Sequence, residues 1–139
     1  MDIITSTRIN PEDNKIRIFN SYDEEHNDYS PWKIENWQRL TGSTVLVNSA
    51  QYLGKPTYGR PCALVIADGK RIGPRSNSAV RGMLVAEPID VSLPCTDLLD
   101  FRYDEFDEET TNYTQEVQHW PILLNRERKI TWSKKRTGR

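Results

Sequence analysis

Residues 44–53 (TVLVNSAQYL) are the stretch that most constrains the fold of this 139-residue chain. A short apolar and β-branched run, residues 44–47, changes abruptly into small polar residues that begin with Asn48. This pattern predicts a buried β-strand that delivers side chains to a site at its carboxyl end. The alternative is that Asn48 and Ser49 only turn the chain, as these residue types commonly do.

Apolar runs bounded by turn residues predict further strands. Residues 63–67 (ALVIA) and 70–72 flank Asp68-Gly69, which is a preferred pair for a two-residue hairpin turn. A strand is also predicted over residues 82–86, just after Arg81. The same reasoning predicts an N-terminal hairpin and a C-terminal hairpin, whose strands are residues 3–9 and 15–19, and 121–124 and 129–132.

Helical patterns occur in three segments. Residues 30–42 begin with Ser-Pro and end at Gly42, as helices often do, and they carry Trp32 and Trp37 on one face. We interpret this helix as scaffold rather than as a sugar platform, because tryptophan is heavily buried on average. Residues 97–100 predict a helical turn and residues 110–119 a short helix.

These elements predict one domain, residues 1–139, with an α+β fold. We expect a mainly antiparallel mixed sheet with two or three packed helices. The net charge of −1 argues against attraction to nucleic acid or to an anionic membrane, and no apolar run is long enough to span a bilayer. Because no signal peptide is visible, we expect a cytoplasmic protein, or an exported one if an N-terminal leader is missing.

Several classes of site are not indicated by the sequence. Cys62 and Cys95 lie far apart without histidine companions, so we expect no zinc site; free thiols are the default, and a disulfide stays open. Residues 104–109 are strongly acidic and predict a solvated loop rather than a calcium site. No glycine-rich phosphate loop and no serine-nucleophile motif occurs, and we expect no cofactor.

Polar residues at the ends of predicted strands are the remaining candidates for a site. They are Asn48, Arg81 and Gln118. Each has an alternative interpretation as a hydrogen-bonded residue that holds a loop, because buried polar groups must be paired.

The order of these features resembles the first part of the phosphodiester glycosidase domain family. A Trp-bearing helix leads into a strand that ends in a sequence similar to the family's Asn-Gly-Gly-Tyr/Phe motif. The most specific piece is similar to its Val-Gln-x-x-Pro-x-Leu segment. The four similar segments are residues 47–52 (VNSAQY), 63–70 (ALVIADGK), 77–85 (NSAVRGMLV) and 117–124 (VQHWPILL).

This resemblance implies a hydrolase that cleaves the glycosidic bond of a small-molecule sugar-1-phosphodiester. The catalytic positions would be Asn48, Arg81 and Gln118, with Arg81 contacting the phosphate. Tyr52 and Asn77 would bind the substrate. A general acid is chemically required and is not assigned.

Two departures from the family pattern limit this expectation. Ser49-Ala50 replaces a glycine pair, which reduces backbone freedom near a ligand. The chain ends at Arg139, where family domains continue into a further strand and helix, so we expect an incomplete, N-terminal portion of the domain. Two alternatives to an active hydrolase follow: a non-catalytic half-domain that binds carbohydrate or a partner, and an inert truncated piece.

Overall fold

The computed structural model describes residues 6–23, 28–29, 32–47, 50, 52–54, 59–77, 79–101, 104, 106 and 111–119. In chain order the elements are β1 (Tyr22–Asp23), β2 (Asp28–Tyr29), α1 (Ile34–Thr41), β3 (Val65–Ala67), β4 (Lys70–Ile72), β5 (Gly82–Pro88), β6 (Thr96–Asp100) and β7 (Tyr113–His119).

The main sheet has five antiparallel strands in the order β4-β3-β7-β5-β6. Two hairpins, β3-β4 and β5-β6, lie side by side, and β7 inserts between them. The last described strand in the sequence is therefore the central strand of the sheet. A separate two-stranded ribbon pairs β1 with β2.

One face of the sheet carries the apolar core. Leu64, Ile66, Met83 and Val85 are all at most 3% exposed, and Leu99, Phe101, Phe106 and Tyr113 pack against them. The opposite face is also largely covered, because Val65, Ala86 and Val117 are buried as well. A central strand that is buried on both faces shows no simple alternation of apolar and polar residues.

The predicted hairpin of residues 63–72 is confirmed. Val65 pairs with Ile72, and the chain turns through Asp68 and Gly69, whose φ angles of 49° and 77° are both positive. A two-residue turn with two positive φ angles is the type that matches the twist of a hairpin. The Gly69 N–H donates to the Thr114 carbonyl at 2.8 Å, which joins the turn to β7.

The predicted helix is confirmed over Ile34–Thr41 and ends at Gly42, where the backbone is left-handed. None of its residues is buried. The indole rings of Trp32 and Trp37 lie 5.4 Å apart, and Trp37 lies 6.0 Å from the ring of Phe19. Trp32 is 49% exposed, so the expectation of a buried scaffold helix does not describe this side chain.

The predicted α+β fold with two or three packed helices is wrong. In the part of the chain that the structure describes, α1 is the one helix, and the architecture is mainly an antiparallel sheet. The predicted helical turn at residues 97–100 lies in β6, and the predicted helix at residues 110–119 corresponds to β7. Pairing with β3 and β5 along its length outweighs the helix-like spacing of its apolar residues.

The predicted strand at residues 44–47 is also wrong. These residues form no strand, and Val45 and Val47 are 41% and 72% exposed. The chain is therefore organised around β7 rather than around this stretch. The predicted C-terminal hairpin lies outside the described residues.

The predicted N-terminal hairpin is not formed by residues 6–9 and 15–19, which contain no strand. Side chains of the sheet hold the second of these segments instead. The Ile16 N–H donates to Glu87 Oε1, and the Ile18 N–H donates to Gln115 Oε1, each at 2.8 Å. No helix among the described residues is long and apolar enough to cross a bilayer.

Candidate functional site

Gln118 connects three parts of the chain at one end of the sheet. Its Oε1 accepts hydrogen bonds from the backbone N–H groups of Leu64, at 3.2 Å, and Asn77, at 2.9 Å. Its Nε2 donates to the carbonyl oxygens of Asn77, at 2.6 Å, and Val80, at 2.7 Å. The side chain is buried, and both lone pairs and both N–H groups of its amide are used.

This arrangement gives Gln118 a structural task. The amide fastens Asn77 and Val80, in the loop before β5, to the start of β3 and the end of β7, where backbone groups would otherwise lack partners. No hydrogen-bonding capacity remains for a sugar hydroxyl or a water. The geometry therefore supports the interpretation of Gln118 as a residue that holds a loop.

Arg81 lies directly after this loop and forms a two-point ion pair. Its Nε donates to Asp100 Oδ1 at 3.2 Å, and its Nη2 donates to Asp100 Oδ2 at 2.6 Å. The side chains of Arg81 and Asp100 are 26% and 6% exposed. The Phe101 N–H donates to the Arg81 carbonyl at 2.9 Å, so backbone and side chain both join the start of β5 to the end of β6. The pair uses Nε and Nη2, which leaves the Nη1 group available to another acceptor.

The Asp100 side of the pair is anchored in turn by Asp104. The Asp100 N–H donates to Asp104 Oδ2, and the Asp104 N–H donates to the Asp100 carbonyl, both at 2.8 Å. The guanidinium is thus held by a carboxylate whose own backbone is fixed. Such support restricts the orientation of a side chain at a binding site.

The structure brings three of the five predicted site residues together. Asn77, Arg81 and Gln118 meet at this end of the sheet, which we call the Arg81 end. The side chain of Asn77 is exposed and closes a local turn by accepting from the Ala79 N–H at 3.0 Å. Asn48 lies outside the described residues.

Tyr52 occupies a separate bridge. It pairs with Pro61, three residues before Leu64, and is 58% exposed. The adjacent Leu53 N–H donates to the Arg60 carbonyl at 2.7 Å. This bridge leads directly into β3, but no described hydrogen bond joins Tyr52 to Arg81 or Gln118.

Glu116 is a residue that the sequence analysis missed. It is 1% exposed, its Oε1 binds the Thr111 hydroxyl, and its Oε2 has no hydrogen-bond partner. Burial raises the pKa of Glu116 to about 7, because the charged form loses its hydration. A lone glutamate in a polar segment gives no sequence signal of this kind.

A second missed network surrounds Gln115. Its Nε2 donates to Asp68 Oδ1 at 2.7 Å, and Asp68 Oδ2 accepts from Arg17 Nη2 at 2.9 Å. Hydrogen bonds from Arg17 and then Gln115 hold the pKa of Asp68 below its usual value. Arg17 also lies over the ring of Phe19, 5.2 Å from its centroid. This network fastens the N-terminal segment to the hairpin turn.

Metal binding receives no support from the described residues, where no three His, Cys, Asp or Glu side chains cluster with suitable geometry. Cys62 and Cys95 are both free thiols, the first half-buried and the second exposed. Comparison of the chain with protein-family models, curated proteins and solved structures gave no match.

Proposed function

We propose that this chain binds the phosphate of a sugar-1-phosphodiester at the Arg81 end, as a non-catalytic domain of the phosphodiester glycosidase type. Two things support the proposal: the sequence resemblance described above, and the way the structure positions a guanidinium group. The observation that carries it is the Arg81–Asp100 pair, which orients a partly exposed arginine at the end of the sheet.

Arginine suits phosphate because its planar guanidinium presents several N–H donors at once. In this chain Asp100 holds Nε and Nη2, and Nη1 faces no described acceptor. A phosphate at Nη1 would therefore meet a donor whose orientation is already fixed, and less entropy is lost on binding.

Binding is better supported than hydrolysis by the same geometry. Both the oxygen and the nitrogen of the Gln118 amide are fully bound to backbone groups, so this side chain is not available to orient a sugar or a water. Glycosidic cleavage requires an acid that reaches the leaving oxygen. Glu116 has a raised pKa, but it is buried in the core face of the sheet.

The test uses the methyl diester of N-acetylglucosamine 1-phosphate as the probe in isothermal titration calorimetry. Asp100→Asn removes the carboxylate but keeps Arg81, and the double variant Arg81→Gln with Asp100→Asn removes the guanidinium while leaving a neutral hydrogen-bonding pair. We expect Asp100→Asn, which keeps the guanidinium but orients it less firmly, to bind within about threefold of the wild type. We expect the double variant to bind at least about tenfold more weakly, because loss of a charge-assisted hydrogen bond usually lowers affinity by about this factor.

Equal affinity of the two variants would contradict the proposal. Inorganic phosphate and free N-acetylglucosamine, titrated separately, show which half of the probe is recognised, and we expect phosphate to compete. The same samples are assayed for free sugar after prolonged incubation. Sugar release by the wild type that is lost in the double variant would support the hydrolase that the resemblance implies.

A further inference from the structure

Glu116 lies at the centre of a row of residues that crosses the whole sheet. The register places Ile66 and Val85 directly opposite it on the two neighbouring strands. Residues directly opposite one another share a face, so Glu116 points to the side of the apolar core. Its carboxyl group is thus flanked by hydrocarbon on both sides, in an environment that penalises an unpaired charge.

The hydrogen bonds of Thr111 indicate whether the Glu116 carboxyl group is protonated or ionised. The Thr111 hydroxyl accepts from the Tyr113 N–H at 3.2 Å and lies 3.0 Å from the Tyr113 carbonyl, to which it donates. It also contacts Glu116 Oε1. A hydroxyl has one proton and two lone pairs, so it cannot donate to both the Tyr113 carbonyl and Glu116.

A protonated Glu116 resolves this conflict. Its own proton then occupies the contact with Thr111, and the Thr111 proton goes to the Tyr113 carbonyl. Every hydrogen bond of this group is formed, and the remaining Oε2 is an uncharged carbonyl oxygen. An ionised Glu116 would instead take the Thr111 proton away from Tyr113 and leave a buried charge with an unpartnered oxygen.

Among the residues that the structure describes, no charge lies close enough to offset the ionised form. In the same cross-strand row the nearest charged residues are Arg71 on β4 and Asp97 on β6. Each lies two strands away, or about 10 Å, and their charges are opposite. From the segment after β6, Phe101 and Phe106 cover the core, and the Asp104 carboxylate is bound to the Asp100 N–H.

We propose that Glu116 is a pH-sensitive latch: its protonated carboxyl donates to Thr111 and leaves the Thr111 proton for the Tyr113 carbonyl, and ionisation of Glu116 breaks the hydrogen bond to that carbonyl and loosens the turn at residues 111–113. The latch is independent of ligand binding at Arg81. The raised pKa of Glu116, about 7 against an ordinary value of 4.5, agrees with this geometry. Its stabilising contribution is complete below about pH 4.5 and is lost as the pH rises to about 7.

The first test measures this proton directly. Carbon-13 NMR of glutamate side-chain carboxyl groups, with Glu116→Gln to assign the resonance, gives the pKa of Glu116. We expect a midpoint near 7, and we expect the amide proton of Tyr113 to shift with the same midpoint, because it binds the hydroxyl that the carboxyl controls. A midpoint near 4.5, or a Tyr113 amide that does not follow Glu116, would overturn the proposal.

Urea unfolding at pH 5 and pH 8 provides the second test. Between these values the folding equilibrium constant of the wild type should fall about a hundredfold more than that of Glu116→Gln, which carries a neutral group of the same shape. Thr111→Ser, which keeps the hydroxyl, should retain the dependence of the Tyr113 amide on Glu116, whereas Thr111→Val should abolish it. Equal pH dependence in the wild type and Glu116→Gln would contradict the latch.

Discussion

Gln118 and Asn77 are joined by two hydrogen bonds that run in opposite directions. The Asn77 N–H donates to Gln118 Oε1 at 2.9 Å, and Gln118 Nε2 donates to the Asn77 carbonyl at 2.6 Å. The Gln118 amide pairs with the Asn77 backbone as a neighbouring strand would, although Asn77 belongs to no strand. This contact sets the path of the loop that ends at Arg81, so the position of the candidate binding residue depends on it.

Replacing Gln118 by leucine should destabilise the fold strongly. The substitution leaves the N–H groups of Leu64 and Asn77 and the Val80 carbonyl without their side-chain partner. We expect a loss of about 3 kcal/mol in the free energy of unfolding, measured by urea titration. Gln38→Leu is the matched control, because Gln38 is exposed and makes one hydrogen bond, to the Ser43 carbonyl. That control should change the free energy of unfolding by no more than about 0.5 kcal/mol. Equal effects of the two substitutions would contradict the role of Gln118 in holding the loop.

The Arg81–Asp100 pair should show strong coupling in a double-mutant cycle. Arg81→Gln alone leaves a buried carboxylate with one partner fewer, and we expect a cost of about 2 kcal/mol, less than for a fully buried pair because Arg81 is 26% exposed. Adding Asp100→Asn should recover most of that loss. Thermal or urea unfolding of the two single variants and the double variant measures the coupling. Simple additivity of the two single effects would show that the pair contributes little.

Gly73 should not tolerate a side chain. Its φ is 80°, and a Cβ there would lie 3.2 Å from Pro61 Cδ, in a rigid ring. We expect Gly73→Ala to lower the free energy of unfolding by about 1–3 kcal/mol. Gly54→Ala is the control, because a Cβ at Gly54 meets nothing within 4 Å. If both alanine variants are equally stable, the contact between Gly73 and Pro61 is not a constraint.

The N-terminal segment should become accessible when Gln115 is replaced. Gln115→Leu removes the acceptor of the Ile18 N–H and the donor to Asp68. We expect trypsin to cleave after Arg17 several times faster in this variant than in the wild type, at conditions where both are folded. The fragment is identified by mass spectrometry, and Gln38→Leu again serves as the control. An unchanged cleavage rate after Arg17 would show that the segment is held by other contacts.

The sequence was informative where structure depends on local chemistry. Asp68-Gly69 predicted its hairpin, because few residue pairs accept two positive φ angles. Gly42 predicted the end of α1, and the apolar run after Arg81 predicted β5. Arg81 and Gln118 were candidates because they are polar residues at the ends of predicted strands, but no sequence pattern placed them side by side. The role of Gln118 as a residue that holds a loop was one of the two interpretations left open.

Sequence reasoning failed where burial depends on distant partners. β7 could not be recognised as a strand, because its buried polar residues Gln115, Glu116 and Gln118 lie on both faces and remove the alternation of apolar and polar residues. Tyr113 and Val117 also have the spacing of a helix. Residues 44–47 show the reverse error, since the apolar run there is exposed at Val45 and Val47 and pairs with no described strand. The burial of the Glu116 carboxyl group could not be predicted from the sequence, because it depends on Ile66 and Val85, which lie on other strands.

The most direct test of the proposed function observes the Arg81 guanidinium while ligand is added. Nitrogen-15 NMR of the arginine Nε–H groups, assigned with Arg81→Gln, is recorded during titration with the methyl diester of N-acetylglucosamine 1-phosphate. Binding at the Arg81 end predicts a saturable shift of the Arg81 resonance that is larger than that of any other arginine, and its reversal by inorganic phosphate. An Arg81 resonance that stays unchanged at ligand concentrations that saturate the calorimetric signal would contradict the proposal.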